Sequence, residues 1–176
     1  MYLCSNSGGS FGPQLKRCGY DGLIVEGRSE RWCYLAIRDD RVTFADAEPW
    51  LGYDSPSTLE AIRDAMDDRL ASALSIGPAA ERLVRLSCIN VDSRAFGRGS
   101  AGAVLGSKRL KGIGIRGSGR IPVADPARID SIRREATATL KQTRADHTRF
   151  GTPQYIEVIN ELGCMPTRNF QTAYFE

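Results

Sequence analysis

The sequence contains a single histidine, His147, and no pair of cysteines at C-x-x-C spacing. The histidine lies in the polar stretch KQTRADHTR, so we interpret it as a solvated loop residue and expect no catalytic site built on histidine. The cysteines are odd in number and widely spaced, which argues against a disulfide framework and against a zinc or iron–sulfur site made by this chain alone. We expect a cytoplasmic protein with reduced cysteines at Cys4, Cys18, Cys33, Cys88 and Cys164.

Long apolar runs and a secretory leader are also missing. No run approaches the roughly 18 apolar residues that span a bilayer, and the start MYLCSNSGGSFG is neither basic nor apolar. The formal net charge of +3 permits an anionic ligand without indicating a nucleic acid. The basic run 94–120 contains no aromatic residue except Phe96, so we expect no nucleic acid as partner, and the lack of a long apolar run leads us to expect no membrane.

Patterns of apolar residues predict separate strands and helices, which indicates the α+β class with antiparallel sheet units. Strands are predicted over 22–27, 31–38, 41–47, 73–76, 82–91 and 111–117. Helices are predicted to begin at Ser55-Pro56, where Ser55 caps, at Asp125-Pro126, and at Thr152-Pro153. The apolar stripe of the first helix is Leu59, Ile62, Met66 and Leu70, and that of the second is Ile129, Ile132, Ala136 and Leu140.

Two halves of the sequence match when it is shifted by ninety positions. Gly9-Ser10-x-Gly12-x-x-Leu15 aligns with Gly99-Ser100-x-Gly102-x-x-Leu105, and Gly22-Leu23-x-Val25-x-Gly27 aligns with Gly112-Ile113-x-Ile115-x-Gly117. The repeat predicts a duplicated, pseudo-twofold domain whose two equivalent loops bind a symmetric ligand or two copies of one ligand. The residues before the loops, 6–8 and 94–97, would then lie together near the axis.

The second loop, RAFGRGSAGAVLGSK, spells G-x-G-x-x-G at Gly97, Gly99 and Gly102. A dinucleotide-binding fingerprint needs a strand running directly into the glycines and an acid about 20 residues later. Here DSRAF intervenes, and no acid occurs in 117–122. A P-loop needs Gly-Lys followed by Ser or Thr, whereas this chain has Gly-Ser-Lys. Both familiar nucleotide motifs therefore fail.

Two interpretations of this loop stay open. The glycines fit a tight turn that lets backbone segments pack closely, or a cradle for an oxyanion, which the flanking Arg94 and Arg98 favour. The basic residues that follow, Lys108, Arg109 and Lys111, fit either that anion site or a solvated helix end.

Four segments resemble the tungsten-dependent aldehyde ferredoxin oxidoreductase family, in its order and spacing. They are NSGGSFGPQLKRCGYDGLIVEG, SIGPAAERLVRLSCINVDSR, RAFGRGSAGAVLGSKRLKGIGIRG and FGTPQYIEVINELGCMPTRNFQT. The resemblance covers essentially the whole chain. It implies part of the family's N-terminal domain (about 1–122) running into the following helical region (about 123–176).

The resemblance implies a domain that holds two pterin dithiolene cofactors on one tungsten, or on molybdenum in some relatives. A magnesium ion bridges the two pterin phosphates near the pseudo-twofold axis. By position, the Asn6 side chain and the Ala95 carbonyl would serve this magnesium, as suits a hard cation. Cofactor contacts would come from Asn6, Gly8, Gly9, Arg94, Ala95, Gly97, Arg98 and Gly99.

The sequence also departs from the family pattern. Members begin well upstream of NSGG and continue for several hundred residues past NFQT, where the ligands of a [4Fe-4S] cluster lie, and none of the cysteines here matches those ligands. We therefore expect a fragment or split subunit of an oxidoreductase that converts aldehydes to carboxylic acids with ferredoxin as electron acceptor. Its partner would be a second copy or the missing C-terminal part. The alternatives are a non-catalytic cofactor-binding or structural module, and a relative acting on another substrate such as an aromatic thioester.

Overall fold

Six short segments rich in apolar and β-branched residues form one mixed sheet. The computed structural model describes residues 4–176, and these form two compact units that meet in the sequence between Ile121 and Pro122. The sheet belongs to the first unit and has the order β2-β1-β6-β3-β4-β5. Its strands are β1 Cys33–Arg38, β2 Arg41–Asp46, β3 Ser72–Ser75, β4 Ile89–Val91, β5 Arg94–Phe96 and β6 Leu110–Arg116.

Neighbouring strands pair antiparallel except for β1 and β6, which run parallel in the middle of the sheet. The β1 register with β2 places Leu35 opposite Phe44, and its register with β6 places Leu35 opposite Ile113. The α+β class is confirmed, and the single parallel pairing makes the sheet mixed.

Helices cover both faces of the sheet, because successive residues of a strand point to opposite sides. Leu35 and Ile37 of β1 belong to a cluster with residues of α1 and α4, whereas Tyr34 and Ala36 pack with α2. The helices of this unit are α1 Phe11–Arg17, α2 Ser55–Ala65, α3 Pro78–Glu81 and α4 Ala101–Ser107, and a 3-10 turn spans Glu48–Trp50.

The N-cap of helix α2 lies one residue earlier than the sequence predicted. Asp54 is the N-cap, and its carboxylate accepts a 2.8 Å hydrogen bond from the Ser57 amide. Ser55, expected to cap, instead accepts a 2.7 Å bond from the Asn90 amide. Leu59, Ile62 and Met66 are buried as the stripe predicts, but the helix ends at Ala65, so Leu70 is 71% exposed and does not continue the stripe.

Strand expectations failed at two places. The segment Gly22–Gly27 forms no strand: Leu23 and Val25 pack on the core as a period of two requires, but the backbone finds no neighbouring strand among the described residues. Of 82–91, the strand keeps only Ile89–Val91. The residues before it form turns after α3, and Leu83 takes a left-handed φ of 59°, which is incompatible with a strand.

The second unit is helical, with α5 Pro126–Thr143, α6 Ala145–Phe150, a 3-10 turn over Thr152–Tyr155 and α7 Ile156–Glu161. Asp125 caps α5 by accepting a 2.9 Å bond from the Arg128 amide. The expected stripe Ile129, Ile132, Ala136 and Leu140 is exposed. His147 is exposed as expected, but it lies in α6 rather than in a loop, because the segment from Ala145 continues as a helical turn.

Equivalent glycines of the repeat, Gly12 in α1 and Gly102 in α4, have different surroundings. A Cβ at Gly102 would lie 2.5 Å from the Cys88 carbonyl oxygen, whereas a Cβ at Gly12 meets nothing within 4 Å. Helix α4 therefore approaches the chain before β4 as closely as a glycine permits.

We expect Gly102→Ala to destabilise the domain by about 1–3 kcal/mol, since the methyl group must displace backbone. Gly12→Ala is the matched control, and we expect it to be neutral or to stabilise by up to about 1 kcal/mol through helix propensity. Urea unfolding of the two variants measures both effects. Equal stability of the two would contradict the close approach of α4.

Candidate functional site

The two glycine loops of the repeat share a glycine with a positive φ, but they differ at the next residue, where Ser10 has a φ of -93° and Ser100 a left-handed φ of 61°. The first loop, residues 6–10, ends in Gly9 with φ of 108° and leads into α1. The second loop, residues 97–100, contains Gly99 with φ of 74° and leads into α4. A positive φ in this range suits glycine, so the repeated glycines are required by backbone conformation. The loop and helix part of the repeat is thus present in the structure, whereas its strand part exists in the second half alone.

Two hydrogen bonds connect the surroundings of the loops across more than eighty residues of sequence: one joins the second loop to the residue before the first, and the other joins the first loop to the β4–β5 turn. The Arg98 amide donates to the Ser5 hydroxyl at 3.2 Å, and the Ser10 hydroxyl donates to Asp92 Oδ2 at 2.7 Å. These contacts flank residues 6–8 in the first loop and 94–97 in the second. The two segments expected near one axis are therefore neighbours.

Asp92, at the turn between β4 and β5, is the centre of this junction. Its Oδ2 also accepts a 3.0 Å bond from the Ser72 hydroxyl, and its Oδ1 accepts a 2.6 Å bond from Arg63 Nη2. Burial would raise the pKa of Asp92, but the hydrogen bonds from Ser10 and Ser72 hold that pKa below its ordinary value. The carboxylate is therefore ionised at neutral pH.

Ala95 presents its backbone to the open edge of the sheet. In the β4–β5 hairpin, Val91 pairs with Arg94 next to the turn and Asn90 pairs with Ala95. The pair beside a two-residue turn exchanges hydrogen bonds, and the next pair does not. Because β5 is the last strand of the sheet, the Ala95 carbonyl faces outward.

The candidate residues share an exposed surface. All eight, Asn6, Gly8, Gly9, Arg94, Ala95, Gly97, Arg98 and Gly99, are exposed. Within residues 4–176, neither Arg94 nor Arg98 has a carboxylate within ion-pair distance. The loops thus offer two guanidinium groups and several backbone groups to a ligand, and guanidinium forks match phosphate geometry.

A hydrophobic hollow of about 380 Å³ borders the loops. Its lining is apolar apart from Ser5, and it consists of Ser5, Phe11, Leu15, Leu23, Val25, Leu74, Ile89, Phe96, Ala101, Leu105 and Ile113. An anion has no partner in such a lining. The hollow itself therefore offers no partner to a phosphate, in contrast to the exposed Arg94 and Arg98 of the neighbouring segments.

The basic residues after the second loop do not contribute to this surface. Lys111 is fully buried, where its ammonium pairs with Glu81 and donates to the Tyr53 carbonyl at 3.0 Å. Lys108 donates to the Gly27 carbonyl at 3.1 Å, and Arg109 donates to that of Glu30. Neither interpretation from the sequence, an anion site or a solvated helix end, describes these three residues.

The donors at the loops suit a hard cation better than a transition metal. The described residues contain no group of three or more histidine, cysteine, aspartate and glutamate side chains placed to hold a metal. An exposed asparagine amide and an outward carbonyl, at Asn6 and Ala95, are oxygen donors of the kind that magnesium takes together with substrate phosphates. The residues present therefore fit a magnesium ion that also binds phosphate.

Asp92, Arg63, Ser72 and Ser5 were not anticipated from the sequence. Asp92 has the signature of an ordinary turn residue, and Arg63 that of a solvated helix residue. Their common role arises from contacts between distant segments, which no local pattern reports.

No helix within 4–176 has the combination of length and apolar character that crossing a bilayer requires.

The lowered pKa of Asp92 predicts a pH-dependent contribution to stability. The contribution is complete above the unfolded-state pKa of about 3.9 and is lost as the pH falls through the lower folded pKa. At neutral pH we expect Asp92→Asn to destabilise by about 2 kcal/mol, and the difference from wild type to shrink below about pH 4. Urea unfolding from pH 7 to pH 2.5 measures it, and a difference independent of pH would contradict the ionised hydrogen-bonded carboxylate.

Comparisons with known proteins extend these observations. Residues 1–117 match the family described as the aldehyde ferredoxin oxidoreductase N-terminal domain. The tungsten-containing aldehyde ferredoxin oxidoreductase of Thermococcus kodakarensis is 42% identical over 176 residues, covering 98% of this chain and 29% of that protein. The Pyrococcus furiosus protein of the same name is 38% identical over 175 residues, with 97% and 29% covered.

Relatives with other names also match. The WOR-like subunit of an aliphatic sulfonate oxidoreductase from Pyrococcus furiosus is 29% identical over 180 residues, covering 94% of this chain and 29% of that protein. Among solved structures, the active site complex BamBC of benzoyl coenzyme A reductase superimposes with a TM-score of 0.75 and 33% identity, covering 80% of this chain and 22% of that chain.

The chain spans less than a third of the length of the curated relatives it matches. The likeness nevertheless extends through both glycine loops and nearly all of the sequence. The chain belongs to the aldehyde ferredoxin oxidoreductase family.

Proposed function

We propose that the chain is part of a tungstopterin oxidoreductase that oxidises aldehydes to carboxylic acids and passes the electrons to ferredoxin. Its own task would be to hold the phosphate ends of a bis-pterin cofactor and the magnesium ion between them. The names of the relatives that share 38–42% of its residues support the activity. The bound cofactor would supply the redox chemistry, and this chain would supply binding, orientation and charge compensation.

The observation that carries the proposal is the pairing of two repeated loops on one exposed surface. Loops related by a repeat suit two copies of one ligand, and the Arg98–Ser5 and Ser10–Asp92 bonds hold these loops side by side. A ligand with two equivalent phosphate arms would contact one loop with each arm.

The arginines would carry most of the recognition. Arg94 projects from the edge strand and Arg98 from the second loop, and both side chains are exposed. Each guanidinium can donate two parallel hydrogen bonds to a phosphate, and together they offset negative charge. Glycines in the loops, Gly8, Gly9, Gly97 and Gly99, let the backbone approach the same groups.

Asn6 and Ala95 would complete the shell of the magnesium ion. The Asn6 amide oxygen and the Ala95 carbonyl oxygen are neutral donors, so the charge of the ion is left to the phosphates, which favours a bridging position. The iron–sulfur cluster of the proposed enzyme would be held outside this chain. We assign the protein to the cytoplasm, which free cysteines at Cys4, Cys18, Cys33, Cys88 and Cys164 favour.

The test is Arg94→Ala in the full-length protein that contains this chain. We expect roughly a tenfold or greater loss of bound tungsten and pterin, with the unfolding temperature of the cofactor-free protein unchanged. Arg82→Ala is the matched control, because Arg82 is exposed in the same unit and makes no ion pair within residues 4–176. Elemental analysis and pterin fluorescence measure occupancy. Full occupancy in Arg94→Ala would refute the phosphate-binding role.

A different substrate is the second candidate, favoured by the relatives named for sulfonates and for benzoyl coenzyme A. Assays of aldehydes, sulfonates and aromatic thioesters with reduced or oxidised ferredoxin separate these activities. Stoichiometric cofactor without turnover of any of them would instead indicate a non-catalytic binding module.

A further inference from the structure

Asp92 connects more separate elements than any candidate cofactor contact does. Its carboxylate accepts bonds from Ser10 in the first loop, Ser72 at the start of β3 and Arg63 in α2. Its own amide donates to the Ala73 carbonyl at 3.3 Å. The residue also starts the hairpin turn that leads to Arg94. Helix, sheet and both ligand-facing segments therefore meet at one side chain.

The backbone of the first loop packs directly against the Asp92 carboxylate. A Cβ built at Gly9 would lie 3.6 Å from Asp92 Oδ2 and 3.6 Å from Val91 Cγ1. The Ser10 amide points to the same oxygen at 3.5 Å. The backbone of the loop thus rests against Asp92, and the Ser10 hydroxyl fixes its distance.

A carboxylate beside a phosphate site would ordinarily repel the ligand. Here the charge is compensated, because Arg63 and Asp92 form an ion pair in which each side chain is 22% exposed. Arg63 is itself fixed by a 3.1 Å bond from its Nε to the Ala71 carbonyl. The pair presents little net charge to the loops, and Arg94 and Arg98 remain available.

Asp92 is not arranged to bind the magnesium ion itself. An ionised carboxylate has about four acceptor positions, and three side-chain donors already occupy three of them. The hydroxyls of Ser10 and Ser72 and the Ser10 amide all face Oδ2, so the position left over is on Oδ1, where a cation would meet the positive charge of Arg63. Its geometry is that of a group that holds other residues in place.

We propose that Asp92 is a positioning residue that sets the distance between the two loops, so that Asn6 and Ala95 can serve one magnesium ion. This inference rests on the proposed function. Asp92 acts through Ser10, whose hydroxyl carries the link from the rigid sheet to the first loop. Loss of the link leaves Arg94 in place but lets the first loop move away from the ion.

The test compares Ser10→Ala, Ser10→Thr, Asp92→Asn and the double variant Ser10→Ala/Asp92→Asn in the full-length protein. Asp67→Asn is the matched control, since Asp67 has the same φ of 49°, is exposed and makes no side-chain hydrogen bond or ion pair in the described part of the chain. Magnesium, tungsten and pterin per chain are measured after dialysis at a series of free magnesium concentrations, beside the unfolding temperature.

We expect Ser10→Ala and Asp92→Asn each to need roughly tenfold more free magnesium to keep half of the pterin, as for groups that orient metal ligands. The double variant should be no worse than Asp92→Asn alone, because both changes break one link. Ser10→Thr should restore the wild-type requirement, and Asp67→Asn should match it.

Wild-type magnesium requirements in both Ser10→Ala and Asp92→Asn would overturn the inference, as would a loss of pterin in Asp92→Asn, which we expect to be less stable, without any loss in Ser10→Ala. If these variants retain pterin while Arg94→Ala loses it, the positioning role of Asp92 is refuted and the proposed function stands. Absence of pterin from the wild type, or its retention in Arg94→Ala, overturns the proposed function and this inference with it.

Discussion

Strand β6 lies between β1 and β3 and is buried from Leu110 to Ile115, so both of its faces must be covered. On one face, Gly112 and Gly114 leave room for Ile62 of α2 and for Met66, the C-cap of α2, to reach the backbone. On the other, Ile113 and Ile115 join the core beneath α1 and α4. Because glycine and isoleucine alternate along β6, helix α2 can approach the glycine face closely, and apolar side chains fill the space at the isoleucine face. The remaining strands and helices are arranged around this requirement.

The position of the two loops follows from that arrangement. Helix α4 leads directly into β6, which fixes the second loop at the far end of α4. Helix α1 is held at its middle, where Gln14 Oε1 accepts a 2.9 Å bond from the Gly117 amide, and its last residue, Arg17, lies directly against Gly117. Both helices lie on the same face of the sheet, and so the loops at their N-termini meet. The positions of the two helices therefore fix the positions of the loops, although the candidate ligand-facing residues are themselves exposed.

The parts of the structure that the sequence predicts are those with local signals. Strands β1 and β2 appear as alternating apolar runs, α2 as a capped apolar stripe, and the glycine loops as an exact-offset repeat. The Gly22–Gly27 segment has the same local signal as β6, but a strand also needs a neighbour, and pairing is a property of distant segments. Lys111 follows the same logic: its sequence neighbours are basic and suggest solvent, while its true partner, Glu81, lies thirty residues away. The roles of Asn6, Ala95 and the loop arginines stay predictions, because exposure and geometry describe a surface and not its ligand.

The unequal surroundings of Gly12 and Gly102 have a consequence for the history of the two halves. If both arose from one ancestral segment, the first helix has since been free to exchange its glycine for larger residues, whereas the second has been held to glycine by the carbonyl of Cys88. Steric freedom of this kind lets one copy drift in sequence while the other is constrained. A duplicated pair of loops would then diverge faster on its first side, and the likeness between the halves would fade first around α1.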